Sequence, residues 1–173
     1  MADKTHKQYG VTKIISKTGQ TTSYADYDDG YYKKGNVADP RFIDNGDGTI
    51  SDRATGLMWK MCSEPDTQTG TCSGTHSKYT WANALTQCHN LNYGGHTDWR
   101  LPNAKELWSI TRLEPGSAPY IDQAAFPGTV SGNYWSSTTY PYRTAYTLYV
   151  NFDYGYLIGN NKTGSSYVRC VRG

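Results

Sequence analysis

Residues 134–173 read YWSSTTYPYRTAYTLYVNFDYGYLIGNNKTGSSYVRCVRG, and this stretch decides the class of fold. Four runs, YWSSTT, AYTLYVNF, GYLIG and SYVRCVR, are rich in aromatic and β-branched residues, which suit a pleated surface. Short segments carrying Pro, Asp, Asn and Gly separate them. Connections that short join antiparallel neighbours, so the spacing predicts successive antiparallel strands.

Upstream the period changes. Thr80 precedes Trp81, Ala84, Leu85, Cys88 and Leu91 at helical spacing, and Tyr93, Gly94 and Gly95 end that pattern. In WRLPNAKELWSITRL, Asn103 is placed as an N-cap with Glu106 three residues later, a capping box, while Leu107, Trp108 and Leu113 share one face. Farther upstream, RFIDNGDGTISDRATGLMWK reads as three short strands joined by tight turns. Two helices with strands on either side predict an α+β domain at residues 39–173. Residues 1–38 lack a sustained period and read as an extended N-terminal arm, disordered over residues 1–8 and tied down by Tyr24, Tyr27 and Tyr31.

The composition narrows the function. Five Trp and sixteen Tyr among 173 residues give a chain of low aliphatic content enough buried area for a core. No apolar run approaches the roughly 18 residues of a membrane span, and MADKTHKQYG lacks the apolar run of a signal peptide. The net charge of +2 is spread thinly. No Lys/Arg stripe of the kind that holds nucleic acid occurs. Residues 134–173 do carry Arg143, Lys162, Arg169 and Arg172 against Asp153 alone, a local +3. Arg169 and Arg172 are expected to cap the fold through ion pairs.

Cys62, Cys72, Cys88 and Cys170 allow three disulfide connectivities. Cys62 and Cys72 bracket a polar loop, whereas a Cys88–Cys170 bridge would tie the chain end to its middle. A zinc site from Cys62, Cys72 and Cys88 with His76 or His89 lacks the CxxC knuckle. The DNGDG turn puts Gly46 and Gly48 where a calcium loop needs oxygen ligands. His6, His76, His89 and His96 show no nucleophile partner. No cofactor, metal or enzymatic activity is expected. The five tryptophans are placed in the core.

Taken in order, KTGQTTSY, DDGYYKKG, RFIDNGDGTISDRATGLMWK, TWANAL, GGHTDWRLPNAKEL, YWSSTTY and YVRCVRG resemble the Lcl C-terminal-domain family, named for the end domain of a bacterial collagen-like adhesin. The resemblance implies a C-type-lectin-like fold, with two helices on antiparallel sheet, that displays a binding surface. It brings Cys88 to Cys170 as a disulfide and leaves Cys62 with Cys72. Members also resemble the variable proteins of diversity-generating retroelements, whose adenine-directed mutagenesis rewrites codons near the end of the gene. Calcium-lectin chemistry would need an acidic proline motif beside the last strands; Glu64-Pro65-Asp66 lies instead before both helices. The same fold resembles formylglycine-generating oxidases, but Cys88 sits on an apolar helix face and reads as structural.

Mutated AAC and AAT codons cannot encode Lys, Glu, Gln, Met or Trp. Residues 138–161 contain none of these, whereas residues 1–137 hold 25. Roughly four would be expected in a window of that length. Strands also disfavour Lys and Glu, which is the plainer account. The segment is rich in tyrosine, a ring of large contact area with only two torsions to freeze, as in antibody loops. The candidate ligand-binding face is therefore Tyr140, Tyr142, Arg143, Tyr146, Tyr149, Asn151, Asp153, Tyr154, Tyr156 and Leu157, with Val150, Phe152 and Val168 pointing inward. Two partners fit: a protein or cell-surface ligand for a diversified site, or an acidic polysaccharide for a fixed adhesin. Localisation at a cell surface, in secreted form or on a viral particle is an expectation, with no signal peptide in the chain.

Overall fold

Three short strands open the domain where the turn residues place them. The computed structural model describes residues 18–32, 39–114, 116 and 118–173. β1 (Phe42–Asp44) and β2 (Thr49–Asp52) pair antiparallel across the DNGDG turn, and β3 (Met58–Lys60) returns along β2. The carboxylates of Asp44 and Asp47 accept the backbone N–H groups of Gly46 and Thr49, so they hold the turn. Gly48 has a φ of +83°, and a Cβ there would come within 1.9 Å of the Tyr93 hydroxyl. Only glycine meets both conditions.

Both helices form from their local signals. α2 (Trp81–His89) is capped by Thr80, whose side chain accepts from Asn83 N–H. α3 (Ala104–Ser109) carries the reciprocal box between Asn103 and Glu106. Arg100 adds a two-pronged grip on the Glu106 carboxylate, at 2.7 and 2.9 Å. Partial burial raises the Glu106 carboxyl, but the Arg100 and Asn103 hydrogen bonds outweigh it and hold the group below its ordinary 4.5. A depressed carboxyl contributes stability that is present above its unfolded pKa and lost as pH falls through the folded value. Glu106→Gln is therefore expected to lose about 1 kcal/mol at pH 7 and less at pH 3, read by urea unfolding. An equal deficit at both pH values would show that the charge is not involved.

The last third forms a second sheet, with one departure from the expected order. β4 (Asn133–Thr139), β5 (Tyr146–Asn151) and β6 (Tyr156–Asn161) pair antiparallel in the order β4-β5-β6. The run SYVRCVR does not add a fourth strand there. Ser166 bridges to Tyr79 and Tyr167 to Tyr134, after which β7 (Val171–Arg172) crosses to the first sheet and pairs with β3, giving β1-β2-β3-β7. Disulfides Cys62–Cys72 and Cys88–Cys170 fix the polar loop and this crossing, and leave no thiolate among the four cysteines for zinc. The result is an α+β domain of short helices on two antiparallel sheets, an arrangement consistent with the C-type-lectin-like fold.

Two buried clusters hold the layers together. One gathers Ile50, Trp59, Leu107, Phe126, Tyr134, Val150 and Phe152; the other gathers Ala84, Cys88, Trp99, Trp135, Tyr149 and Val168. Trp59, Trp99 and Trp135 are core as expected, but Trp81 is half-buried and Trp108 is 45% exposed. α3 has only six residues, and Trp108 lies one position past the buried Leu107, about 100° around the helix.

Arg172 forms the expected ion pair, with Asp98 at 2.7 Å. Arg169 does not. It is fully buried, and its guanidinium donates to the carbonyls of Lys60 and Met61, to Ser63 and to Thr129, beneath the Phe126 ring. Beside it Lys60 and Glu64 form a buried pair at 3.1 Å, with Gln87 donating to the second Glu64 oxygen. Burial pushes both the Lys60 and the Arg169 pKa down. The Glu64 carboxylate thus serves the interior.

The expected extended arm is bent where it is described. Asp28 accepts the N–H groups of Tyr24 and Tyr31, and a single turn, α1 (Asp29–Tyr32), follows. Tyr24, Tyr27 and Tyr31 are 73, 69 and 53% exposed, so they do not tie the segment down. The bond from Leu113 N–H to Thr18 O and that from Thr21 to Glu114 do so. The expectation for residues 1–8 lies outside the described residues.

Candidate functional site

The three-stranded sheet offers the tyrosines at its two ends. β5 is its central strand, and its six residues span roughly 20 Å. At one end, the β4–β5 turn carries Tyr140, Tyr142 and Arg143, and β5 opens with Tyr146. The rings of Tyr140 and Tyr142 meet edge to face at 5.9 Å, and the Arg143 guanidinium lies 5.6 Å from the Tyr146 ring centroid. Tyr142 is 88% exposed, whereas Tyr140 and Tyr146 are half-buried. At the other end, the β5–β6 turn carries Asp153 and Tyr154 and the start of β6 carries Tyr156 and Leu157, with Tyr154 and Tyr156 stacked 5.7 Å apart and nearly parallel.

Tyr149 and Asn151 do not belong to the offered face. Both are buried, with Tyr149 edge-on to Trp135 at 6.4 Å and Asn151 donating to Asn133 Oδ1 and accepting from Tyr154 N–H. The cause lies in the layering: one face of β5 packs Val150 into the first cluster, and the opposite face packs Tyr149 into the second. A strand covered on both faces has no wet side for alternation to reveal. Burial raises the Tyr149 hydroxyl pKa, and the neighbouring Tyr156 adds to the rise. Val150, Phe152 and Val168 are buried as expected.

The candidate set thus divides into two small aromatic groups at the two ends of the central strand β5. The sequence reading missed two exposed members. Trp108 donates its indole N–H to Gly155 O beside the second group, and Ile158 of β6 is 48% exposed. Trp108 was placed in the core with the other tryptophans, and Ile158 was read only as part of a strand; no local signal marks β6 as an outer strand.

Most of the local positive charge is already engaged. Arg169 is buried, Arg172 pairs with Asp98, and Lys162 donates to Thr139 with its ammonium 4.0 Å from the Trp81 ring centroid. That leaves Arg143 as the exposed cation of the segment, beside the tyrosines of the β4–β5 turn.

These groups predict a sharp contrast in stability. Tyr142→Ala and Tyr154→Ala should each stay within about 0.5 kcal/mol of the parent in urea unfolding, as exposed sites do. Tyr149→Ala should cost about 3 kcal/mol, because it opens a cavity beside Trp135. Equal losses at all three positions would mean that the exposed rings build the fold.

These exposed rings stand on a disulfide-stapled α+β domain of two antiparallel sheets. The chain belongs to the Lcl C-terminal domain family, whose model matches residues 48–172. Domains of this family are generally non-catalytic. The resembling pieces KTGQTTSY and DDGYYKKG precede the matched range. A comparison with curated proteins finds no match. Disulfides of this kind persist in oxidising, extracytoplasmic surroundings. No helix among the described residues is long and apolar enough to cross a membrane.

Proposed function

We propose that this domain is a variable ligand-binding protein of the kind that diversity-generating retroelements rewrite, and that it contacts a protein or cell-surface ligand through the aromatic turns of the β4–β6 sheet. One observation carries the reading: Tyr142, Tyr154 and Tyr156 expose large rings that the two buried clusters do not use. Tyrosines held on turns of a rigid sheet supply contact area at low entropic cost, as in antibody paratopes. These positions also fall within residues 138–161, which lack all five residue types excluded by the mutated codons.

Sequencing the gene and its flanks from several isolates tests the proposal. Substitutions are expected at Tyr140, Tyr142, Arg143, Tyr154, Tyr156 and Leu157, with Thr147, Val150 and Phe152 unchanged, beside a near-copy carrying adenines at the variable codons. An invariant segment with no such copy would overturn the diversified reading. Salt-sensitive retention on heparin that disappears in Arg143→Ala would favour a fixed site for acidic polysaccharide instead.

A further inference from the structure

We infer that the outer edge of β6 is a self-association strand through which two copies of this domain pair antiparallel about a two-fold axis at Ile158. The hydrogen-bond phase of the sheet fixes which backbone groups are open. Tyr146 bonds toward the β4 side through Tyr140 N–H, and Lys162 N–H donates to Ala145 O. Antiparallel ladders alternate, so Thr147, Tyr149 and Asn151 bond to Asn160, Ile158 and Tyr156, while Leu157, Gly159 and Asn161 direct their groups outward and Gly155 N–H turns back to Asn151 O.

The ends of that edge are closed within the chain. Trp108 donates to Gly155 O; the Asn160 side chain accepts from Asn161 N–H; Gly164 N–H donates to Asn161 O. The N–H and C=O groups of Leu157 and Gly159 remain, with no partner among the described residues. A single antiparallel register lets all four open groups of one copy bond to the same four of another. It sets Leu157 opposite Gly159 of the second copy, Gly159 opposite its Leu157, and Ile158 opposite its own counterpart. Leu157 then faces the side-chain-free position over which the Tyr140 ring lies, 3.8 Å from where a Cβ would stand.

The edge is self-complementary in its backbone groups, and no charge opposes a second copy as the occupant. Residues 154–161 contain no charged side chain, so two identical edges meet without like-charge repulsion. The edge also lacks the Lys or Pro with which natural proteins block such pairing. Leu157, Ile158 and the flanking rings of Trp108 and Tyr156 cover roughly 300 Å² per copy, below the ~800 Å² of a standard interface. The dimer is therefore weak and concentration-dependent.

Sedimentation equilibrium of the full chain from micromolar to about millimolar concentration tests this. A reversible dimer is expected, with Ile158→Lys weakening it more than about tenfold by placing two ammonium groups on the axis. Ile158→Cys should cross-link into a covalent dimer much faster than Leu157→Cys, since only residue 158 opposes itself and non-hydrogen-bonded pairs suit a disulfide. If Ile158→Lys fails to fold, amide exchange of the parent decides the matter: Leu157 and Gly159 N–H must gain protection as concentration rises. A monomer throughout, a dimer indifferent to Ile158→Lys, or unchanged exchange at both amides would overturn the inference. A monomer that gains protection at those two amides only when a foreign peptide is added would also overturn it, in favour of strand addition by another protein.

Discussion

Replacing Cys88 and Cys170 together by Ala is expected to lower the stability of the domain by roughly 4 to 5 kcal/mol. The bridge closes a loop of 82 residues. Restricting an unfolded chain over that length contributes about that much in the chain-entropy account. Domains of this size are stable by about 5 to 15 kcal/mol, so the variant should be marginal. The Cys62–Cys72 bridge, with a sequence separation of 10, should contribute less than about 3 kcal/mol. Urea unfolding of the two double variants should give this order, and a larger loss from the short loop would mean that native contacts around it outweigh chain entropy.

Glu64→Leu is expected to cost about 4 kcal/mol, because it removes the carboxylate paired with the buried Lys60 ammonium beside the buried Arg169 guanidinium. The charge itself can be tested by pH. Burial already lowers the Lys60 pKa below 10.5 in the parent. In the variant the pKa should fall further, so the folded state releases that proton at a lower pH than the unfolded chain does and stability should rise with pH through that window. The double variant Lys60→Met, Glu64→Leu should recover much of the loss, since a buried pair exchanged for apolar groups is often near neutral. A Glu64→Leu chain as stable as the parent, with no pH dependence, would show that the pair contributes little.

Features with a local cause were legible in the sequence. The Thr80 cap, the Asn103–Glu106 box and the turns of the β1–β3 meander each depend on residues within a few positions of one another, and each formed as read. What failed to show was long-range. Arg169 reaches Lys60 and Met61 from more than 100 positions away, so alternation beside Cys170 gave no sign of its burial. Tyr149 was placed on a wet face because alternation with Val150 carries no information about a second layer. β7 left the expected sheet for the same reason: Val171 found β3 and Arg100, neither of which marks the final run itself.

The candidate site was legible by composition and only in part by position. The concentration of tyrosine and the gap in residue types located the segment. The division into two turn clusters needed the hairpin ends, and the exposure of Trp108 and Ile158 needed the outer strand.

The pairing of Met58 with Arg172 also governs how quickly the protein can be made ready for use. The first sheet cannot be completed until a segment more than 100 residues downstream arrives and inserts beside β3. Search for such distant pairings slows folding toward the millisecond-to-second range typical of strand-rich topologies. During that wait Trp59 and Ile50, covered in the finished domain, lie open to water and to other chains. The exposure is therefore greatest before β7 has paired with β3, and holdase chaperones that shield aromatic surface should raise the yield of this protein more than they raise its final stability.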